Sequence, residues 1–352
     1  MKRDSQAATG TVMVPGVVSL AASSRRTLKH GDSFAMFDEF GDVVEVQHSP
    51  AGLFHFDTRF LSRLYFTLEG HRPLILSSTV QPDNLRLDVD LTNPDMFQGE
   101  RLVLAKDTFH VARAKFLWEA SCHELFTITN YADRRMRVRL ALEFAADFAD
   151  LFEIRGYLRS RRGAVASEQR GPAEVGFIYR SLDGIPRETR VSFGAAPREL
   201  STSRAEFELE IDARARRSIS MAVQCLRGDA AASAGRFYAT MRSARRSLAR
   251  ARAGLAKIET SNATVNSILS RSSADLEMLK TETPLGPYPY AGVPWFSTAF
   301  GRDGILTAME MLWFDPGTAR GVLRFLAAHQ AQGEDAAADM EPGKIVHELR
   351  EC

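Results

Sequence analysis

Hydrophobic residues fall at every second position through much of the first two-thirds of the chain. Leu85, Leu87, Val89 and Leu91 alternate with Arg86, Asp88 and Asp90, and Met136, Val138, Leu140, Leu142 and Phe144 alternate with Arg137, Arg139, Ala141 and Glu143. Successive side chains on an extended strand point to opposite faces, so each run predicts a strand with one dry and one wet face. The same period returns at Phe207, Leu209 and Ile211 and at Ile219, Met221, Val223 and Cys225, with Gly, Pro and Asp clusters between the runs. Many half-buried strands separated by turns bury their dry faces most economically as an antiparallel β-sandwich, predicted here from about Phe34 to Leu226.

After Gly228 the period becomes that of a helix. Phe237, Met241, Leu248, Leu255 and Ile258 recur at helical spacing, with Arg236, Arg242, Arg245, Arg246, Arg250, Arg252 and Lys257 on other faces, and Val265, Ile268, Leu269, Leu276 and Leu279 continue the pattern. The loop GPYPYAGVP, Gly286 to Pro294, follows; its prolines lack amide hydrogens and exclude helix interior. Two further helices are predicted from the stripes Leu306, Met309, Leu312, Trp313 and Val322, Phe325, Leu326, His329, separated at Asp315 and Pro316. Strands first and helices afterwards argue for separate β and α domains. The expected division is an N-terminal arm over 1–33, a sandwich over 34–227, a helical linker over 228–260 and a helical domain over 261–352.

The 352 residues, 45% hydrophobic and 25% charged, suit a folded soluble protein of two domains. With 45 basic and 44 acidic residues the net charge is +1, so no global field draws the chain to nucleic acid or an anionic membrane, and a neutral partner is expected. The basic stretch Arg236 to Lys257 could meet phosphates, but no recognised nucleic-acid motif accompanies it. Cys122, Cys225 and Cys352 lack metal-ligand spacing, so neither a metal nor another cofactor is expected, and they read as small apolar residues. Thr11 to Ser23 faintly imitates a signal peptide, against which stand Pro15, Gly16 and Asp4. A cytoplasmic location is expected, with secretion the alternative.

Candidate chemistry gathers in two segments. In PWFSTAFGRDGILTAMEML, Pro294 to Leu312, Trp295 and Phe296 stand in a loop, and Arg302 and Asp303 follow Gly301 just before an apolar-patterned helix. Aromatic rings can cover the apolar faces of a sugar while carboxylate and guanidinium share its hydroxyls. The alternative is that Asp303 caps the helix or matches its dipole, with Arg302 as an exposed ion-pair partner. The second segment, DMEPGKIVHELREC, packs Asp339, Glu341, Lys344, His347, Glu348 and Arg350 around a Pro342–Gly343 turn. It lacks the second histidine of a zinc-protease helix, and it reads either as part of a site or as a charged surface loop running into a helix.

Together, GVPWFSTAFGRDGILTAMEML, RGVLRFLAAHQA and MEPGKIVHELR resemble the start of the catalytic domain of bacterial amylo-α-1,6-glucosidases of the six-hairpin, (α/α)6-barrel type. GLFHFDTRFLSRLYFTLEG, Gly52 to Gly70, and FAADFADLFEIRG, Phe144 to Gly156, resemble the N-terminal domain that accompanies such barrels. The resemblance implies an N-terminal antiparallel β-sandwich followed by the first helices of an incomplete (α/α)6 barrel, acting on an α-glucan or oligosaccharide. It implies that Arg302 and Asp303 bind sugar hydroxyls, that Trp295 and Phe296 form walls, and that Glu341, Lys344, His347, Glu348 and Arg350 belong to the next loop of the same crater. Inverting hydrolysis uses two carboxyl groups about 6.5–9.5 Å apart; the resemblance places both beyond Cys352, with Asp303 and Glu341 the candidates inside the chain. The chain alone is then expected to be inactive, and a companion chain could complete the barrel. A glucoamylase-like or trehalase-like hydrolase and a non-catalytic carbohydrate-binding protein are the alternatives.

Overall fold

The computed structural model describes residues 25–44, 46, 48–230, 235–336 and 338–350. Its first part is an antiparallel β-sandwich. One layer is an eight-stranded sheet in the order Ala164–Gly171, Glu174–Arg180, Arg187–Phe193, Arg216–Arg227, Ser121–Asn130, Phe109–Trp118, Leu87–Thr92, Leu74–Val80. Facing it are two four-stranded sheets, Glu199–Leu200, Arg204–Ile211, Met136–Ala145, Arg63–Leu68 and Arg26–His30, Ser33–Phe37, Gly52–His55, Thr58–Leu61. The alternating runs enclose the core as their period requires: Leu87, Val89 and Leu91 from one side meet Val138, Leu140, Leu142 and Phe144 from the other, with Ile219, Met221, Val223 and Cys225 joining them. Cys122 and Cys225 are free and buried, and burial pushes the Cys122 thiol up to about 12. The strand Arg26–His30 pairs with Ser33–Phe37 and buries Leu28, so the sheet begins within the segment expected as an arm; the first 24 residues of that segment, including Thr11 to Ser23, lie outside the described residues.

The core contains charge where alternation predicts apolar residues. Arg113, Lys115 and Glu124 occupy inward positions of adjacent strands and are fully buried. Arg113 donates from Nε to Glu124 Oε1 at 2.8 Å, from Nη1 to Asp42 Oδ1 at 2.6 Å and the Phe40 carbonyl at 2.7 Å, and from Nη2 to the Gly41 carbonyl at 3.1 Å. Lys115 donates to the other Glu124 oxygen. The rings of Phe66 and Phe126 flank the guanidinium at 5.3 and 5.1 Å. Burial works against charge on Arg113, but Glu124 and Asp42 outweigh it and hold its pKa above the ordinary value; burial pushes the Asp42 carboxyl up against the pull of Arg113. Two cations and two carboxylates leave the cluster neutral, which makes its burial tolerable.

The second part is helical. Helix α1, Leu151–Ile154, is a single turn in the sandwich, started by a capping box in which Asp150 accepts from Phe152 N and Glu153 N while Glu153 reaches back to Asp150 N. Helix α2, Phe237–Ala253, lays Phe237, Met241 and Ala244 on the outer face of the eight-stranded sheet against Phe116. Its basic residues face away from that contact, and Leu255 and Ile258 lie past its end. Helix α3, Ala263–Leu279, capped by Asn262, leads into a hairpin of Lys280–Thr283 and Gly286–Pro289. Helices α4, Gly301–Met311, and α5, Pro316–Ala328, pack over this hairpin: Tyr288, Ala308, Val322, Phe325 and Leu326 form their shared core. Asp315 caps α5, accepting from Gly317 N at 3.0 Å, and pairs with Lys280 at 2.9 Å. The architecture is a β-sandwich followed by part of an α-helical barrel. Two expected details differ. The stripe of Leu306 and Met309 is 53% and 68% exposed, because α4 buries its small side, Gly304 and Ala308, instead. The last segment, for which a loop running into a helix is one of two readings, turns at Pro342–Gly343 and reaches the short strand Glu348–Leu349 instead. No helix among the described residues is long and apolar enough to cross a membrane.

Two measurements test this packing. Arg113→Met should lower the unfolding free energy by about 3–5 kcal/mol, since it leaves Glu124 and Asp42 buried beside Lys115 alone; a wild-type urea midpoint would show that the network does not hold the core. Burial also pushes His30, His55 and His123 down to about 4, helped at His30 by Lys29 and at His55 by Arg227. In the unfolded chain each titrates near 6.5. Between these values the unfolded state holds more protons, so stability should fall as pH drops from about 6.5 to about 4. His55→Gln should make that decline shallower in urea titrations across the range.

Candidate functional site

The two parts meet along a seam built from the four-stranded sheet that begins at Arg26. Alternation there is doubly dry: Ala35, Phe37 and Leu53 face the sandwich core, while Phe34, Met36 and Phe54 face outward. Trp295 and Val293, from the loop ahead of α4, pack on this outward face beside Leu151 and Ile154 of α1. Polar ties reinforce it. Lys29 Nζ donates to Thr281 Oγ1 at 3.0 Å, and the Tyr290 hydroxyl donates to Asp32 Oδ1 at 2.5 Å. Burial brings Lys29 down to about 7 despite the nearby Asp32 carboxylate. Arg350 donates from Nη1 to Asp57 Oδ2 at 2.9 Å, from Nη2 to the Trp295 carbonyl at 2.9 Å and from Nε to Glu348 Oε2 at 3.0 Å. Burial raises the Asp57 carboxyl against the pull of Arg350. Asp57 sits with Phe56 at the tip of a strand turn, both with left-handed backbone, φ 58° and 44°.

Above the seam, backbone pairing joins the two candidate segments. Ala299 and Phe300 pair with Leu349 and Glu348, and Gly301 N donates to the His347 carbonyl at 3.0 Å. A Cβ at Gly301 would stand 2.1 Å from the Val346 carbonyl oxygen, so only glycine lets the two backbones approach this closely. Beneath them the Tyr288 hydroxyl donates to the Phe300 carbonyl at 2.8 Å and fills the place of a side chain at Gly304. Burial and then the neighbouring Asp303 push Tyr288 up to about 12.

The candidate residues divide into groups. Lys344, His347 and Glu348 line one cavity of about 460 Å³ with His329, Asp339 and Met340. Phe296, 49% exposed, and His347 both turn ring edges to Phe300, at 5.8 and 5.9 Å. Arg302 is exposed and Asp303 half-buried in the first turn of α4, where its charge complements the helix dipole. Asp303 is not the cap, which is Phe300, and neither it nor Arg302 makes a side-chain hydrogen bond or ion pair among the described residues. Both line no part of the cavity that holds His347. Glu341 is exposed, and Lys344 pairs with Asp339 at 2.7 Å. Trp295 and Arg350 are drawn into the seam: the indole is half-buried under Arg155, 5.5 Å away, and the guanidinium is held by Asp57. Arg302, Asp303, Glu341 and His347 thus make no side-chain hydrogen bond or ion pair among the described residues, and the Phe296 ring is exposed.

Sequence reasoning passed over Asp57, Asp32 and Tyr290, which line a second cavity of about 340 Å³ with Ser297, Thr298 and His329. Asp57 lies within Gly52 to Gly70 and Tyr290 within the proline-rich loop, both segments already conspicuous, but nothing in them indicates a contact across more than two hundred residues of chain. No group of three or more His, Cys, Asp or Glu side chains able to hold a metal occurs among the described residues.

A sandwich joined through such a seam to the first helices of a partial barrel makes a two-part architecture. Residues 28–222, more than half of the chain, match the family described as the N-terminal domain of (some) glycogen debranching enzymes, and the chain belongs to that family. No curated protein matches the sequence. Among solved structures, a protein from the human microbiome assigned as a kojibiose phosphorylase superposes with TM-score 0.59 at 9% identity, over 85% of this chain and 46% of that one. A bacterial glucoamylase solved with acarbose gives TM-score 0.47 at 10% identity, over 87% of this chain and 50% of that one. A galactose mutarotase-like protein from Lactobacillus casei gives 0.35 at 8% identity, over 57% of this chain and 100% of that one. At 9% identity the likeness to the first is one of fold, and the chain spans about half the length of the first two.

Arg350→Ala strands the buried Asp57 carboxylate and should cost about 3–5 kcal/mol of stability. Adding Asp57→Asn should recover part of that loss in the double variant, because the two residues are in contact. Additive losses in thermal unfolding would show that the pair does not couple the two parts.

Proposed function

We propose that this chain is part of a glycoside hydrolase of the glycogen-debranching type, binding α-glucans and directed at α-1,6-glucosidic branch bonds. The observation that carries the reading is the family match over residues 28–222, ahead of helices whose rim brings Gly301 against His347. In this reading Arg302 and Asp303 take sugar hydroxyls, Phe296 covers an apolar sugar face, and Glu341, Lys344, His347 and Glu348 complete the adjoining wall. Trp295 and Arg350 act as positioning residues: they hold the rim to the sandwich and touch substrate only at its edge. The acid that protonates the leaving oxygen and the base that activates water are proposed to lie on polypeptide following Cys352. Of the carboxylates in these segments, Glu348 is paired with Arg350 and Asp339 with Lys344, which leaves Asp303 and Glu341 as the candidates within this chain.

The test is binding and turnover by the 352-residue chain. It should bind maltoheptaose or a branched limit dextrin in calorimetry, and Arg302→Ala and Asp303→Ala should each weaken binding about tenfold or more, equivalent to about 1.4 kcal/mol. It should release no glucose from limit dextrin. Unchanged affinity in both variants would overturn the assignment of the rim. Glucose release by this chain would move the catalytic pair into it, to Asp303 and Glu341.

A further inference from the structure

The cavity of about 340 Å³ lies in the seam itself, between Asp32, Phe56 and Asp57 of the sandwich and the hairpin and loop that precede α4. Two side chains of its lining carry a buried oxygen with no hydrogen-bond partner among the described residues: Asp57 Oδ1 and Ser297 Oγ. Asp57 is 4% and Ser297 7% exposed. Buried polar groups in folded proteins are nearly always paired, so two orphans on one cavity, one from each part of the chain, point to an occupant that reaches both.

Most hydroxyls of the lining have already spent their hydrogens. Thr281 Oγ1 donates to the Gly31 carbonyl at 3.2 Å, Thr283 Oγ1 to the Gly286 carbonyl at 2.7 Å and Thr298 Oγ1 to the Leu349 carbonyl, so each offers only lone pairs. The Tyr290 hydroxyl is given to Asp32 in the same way. His329 donates from Nδ1 to the Phe325 carbonyl at 2.7 Å, which in the neutral ring leaves Nε2 as an acceptor. With Asp57 and Glu282 added, the wall is a set of acceptors in which Ser297 alone has a hydroxyl hydrogen to give. No Lys or Arg lines it among the described residues, so a phosphate or carboxylate would meet acceptors where it needs donors. The Asp57 charge is answered at Oδ2 by Arg350, so its other oxygen lacks a hydrogen-bond donor and not a cation. Several uncharged O–H donors on one molecule, with the Phe56 and Phe325 rings beside its apolar faces, describe a sugar. The volume is within the ~300–1,000 Å³ of small-molecule sites. This cavity and the one at the rim share two wall residues, His329 and Leu349, so adjoining units of one glucan can meet both.

We propose that the seam cavity is a second sugar subsite beside the rim, in which Asp57 and Ser297 bind hydroxyls of the neighbouring unit of the same glucan. The inference rests on the reading of the rim as a glucan site, and it makes the sandwich part of that site. The experiment titrates maltose into the full chain by calorimetry, in the wild type and in Ser297→Ala, Asp57→Asn and Arg302→Ala. Ser297→Ala and Asp57→Asn should each weaken maltose about threefold or more, the loss of one hydrogen bond. Ser297→Ala should leave the thermal midpoint unchanged or raised, because it removes an unpaired buried hydroxyl. Unchanged maltose affinity in Ser297→Ala overturns the subsite, and a lowered midpoint in that variant would then assign the hydroxyl to ordered water. Arg302→Ala decides the rim separately: weaker maltose binding there keeps the rim reading although the subsite has failed, and unchanged binding removes it. Tighter binding of 1,4-diaminobutane than of maltose, lost in Asp57→Asn, would also overturn the proposal by showing that the cavity takes a cation. Absence of maltose binding by the wild type overturns both readings.

Discussion

The guanidinium of Arg113 is enclosed in the middle of a β-sandwich, and everything around it must answer its charge. Its partners come from two directions: Glu124 from the next strand of the same sheet, and Asp42 with the Phe40 and Gly41 carbonyls from the turn that follows Ser33–Phe37. The second set makes the interaction more than local. It ties the opening strands of the chain to the centre of the eight-stranded sheet. A neutral cluster of this kind adds little net stability over an apolar core, but each member left alone is costly, so the arrangement favours the registry in which all four groups meet.

That registry positions the seam. The sheet holding Ser33–Phe37 and Gly52–His55 is the layer shared by both parts, dry toward the sandwich core and dry toward Trp295. Its turns carry Asp32 and Asp57 to the points where Tyr290 and Arg350 reach them. Because Arg350 also grips the Trp295 carbonyl and Glu348, the same contact that joins the parts sets the strand Glu348–Leu349 beside Ala299–Phe300. The rim is therefore a tertiary consequence of the sandwich. There Arg350 is engaged by Asp57 and Lys344 by Asp339.

Much of this was legible in the residues. Period two marked Leu87–Thr92, Met136–Ala145, Arg204–Ile211 and Arg216–Arg227, and the change of period near Gly228 marked the passage to helices. The continuous apolar run at Phe34 to Phe37 is the mark of a strand buried on both faces. The two candidate segments were also visible as segments. The strand Phe109–Trp118 was not recoverable by alternation, since Arg113 and Lys115 occupy its dry positions. The helix stripes were misleading where the apolar side was not the packed side: α4 turns Leu306 and Met309 outward because Tyr288 needs the glycine and alanine face.

The sequence by itself determined the classes of element, their order, the dry faces of most strands, and which short segments carried unusual chemistry. These are properties of neighbouring residues, and the periods of 2 and 3.6 express them directly. Only the tertiary structure decided that Arg350 answers Asp57, that Trp295 is a wedge in the seam, and that Gly301 is needed by the Val346 carbonyl. Each is a pairing between residues far apart in the chain or on different strands. Local propensity carries no information about such a pairing, because its free energy exists only once packing has removed water and brought the partners within hydrogen-bonding distance.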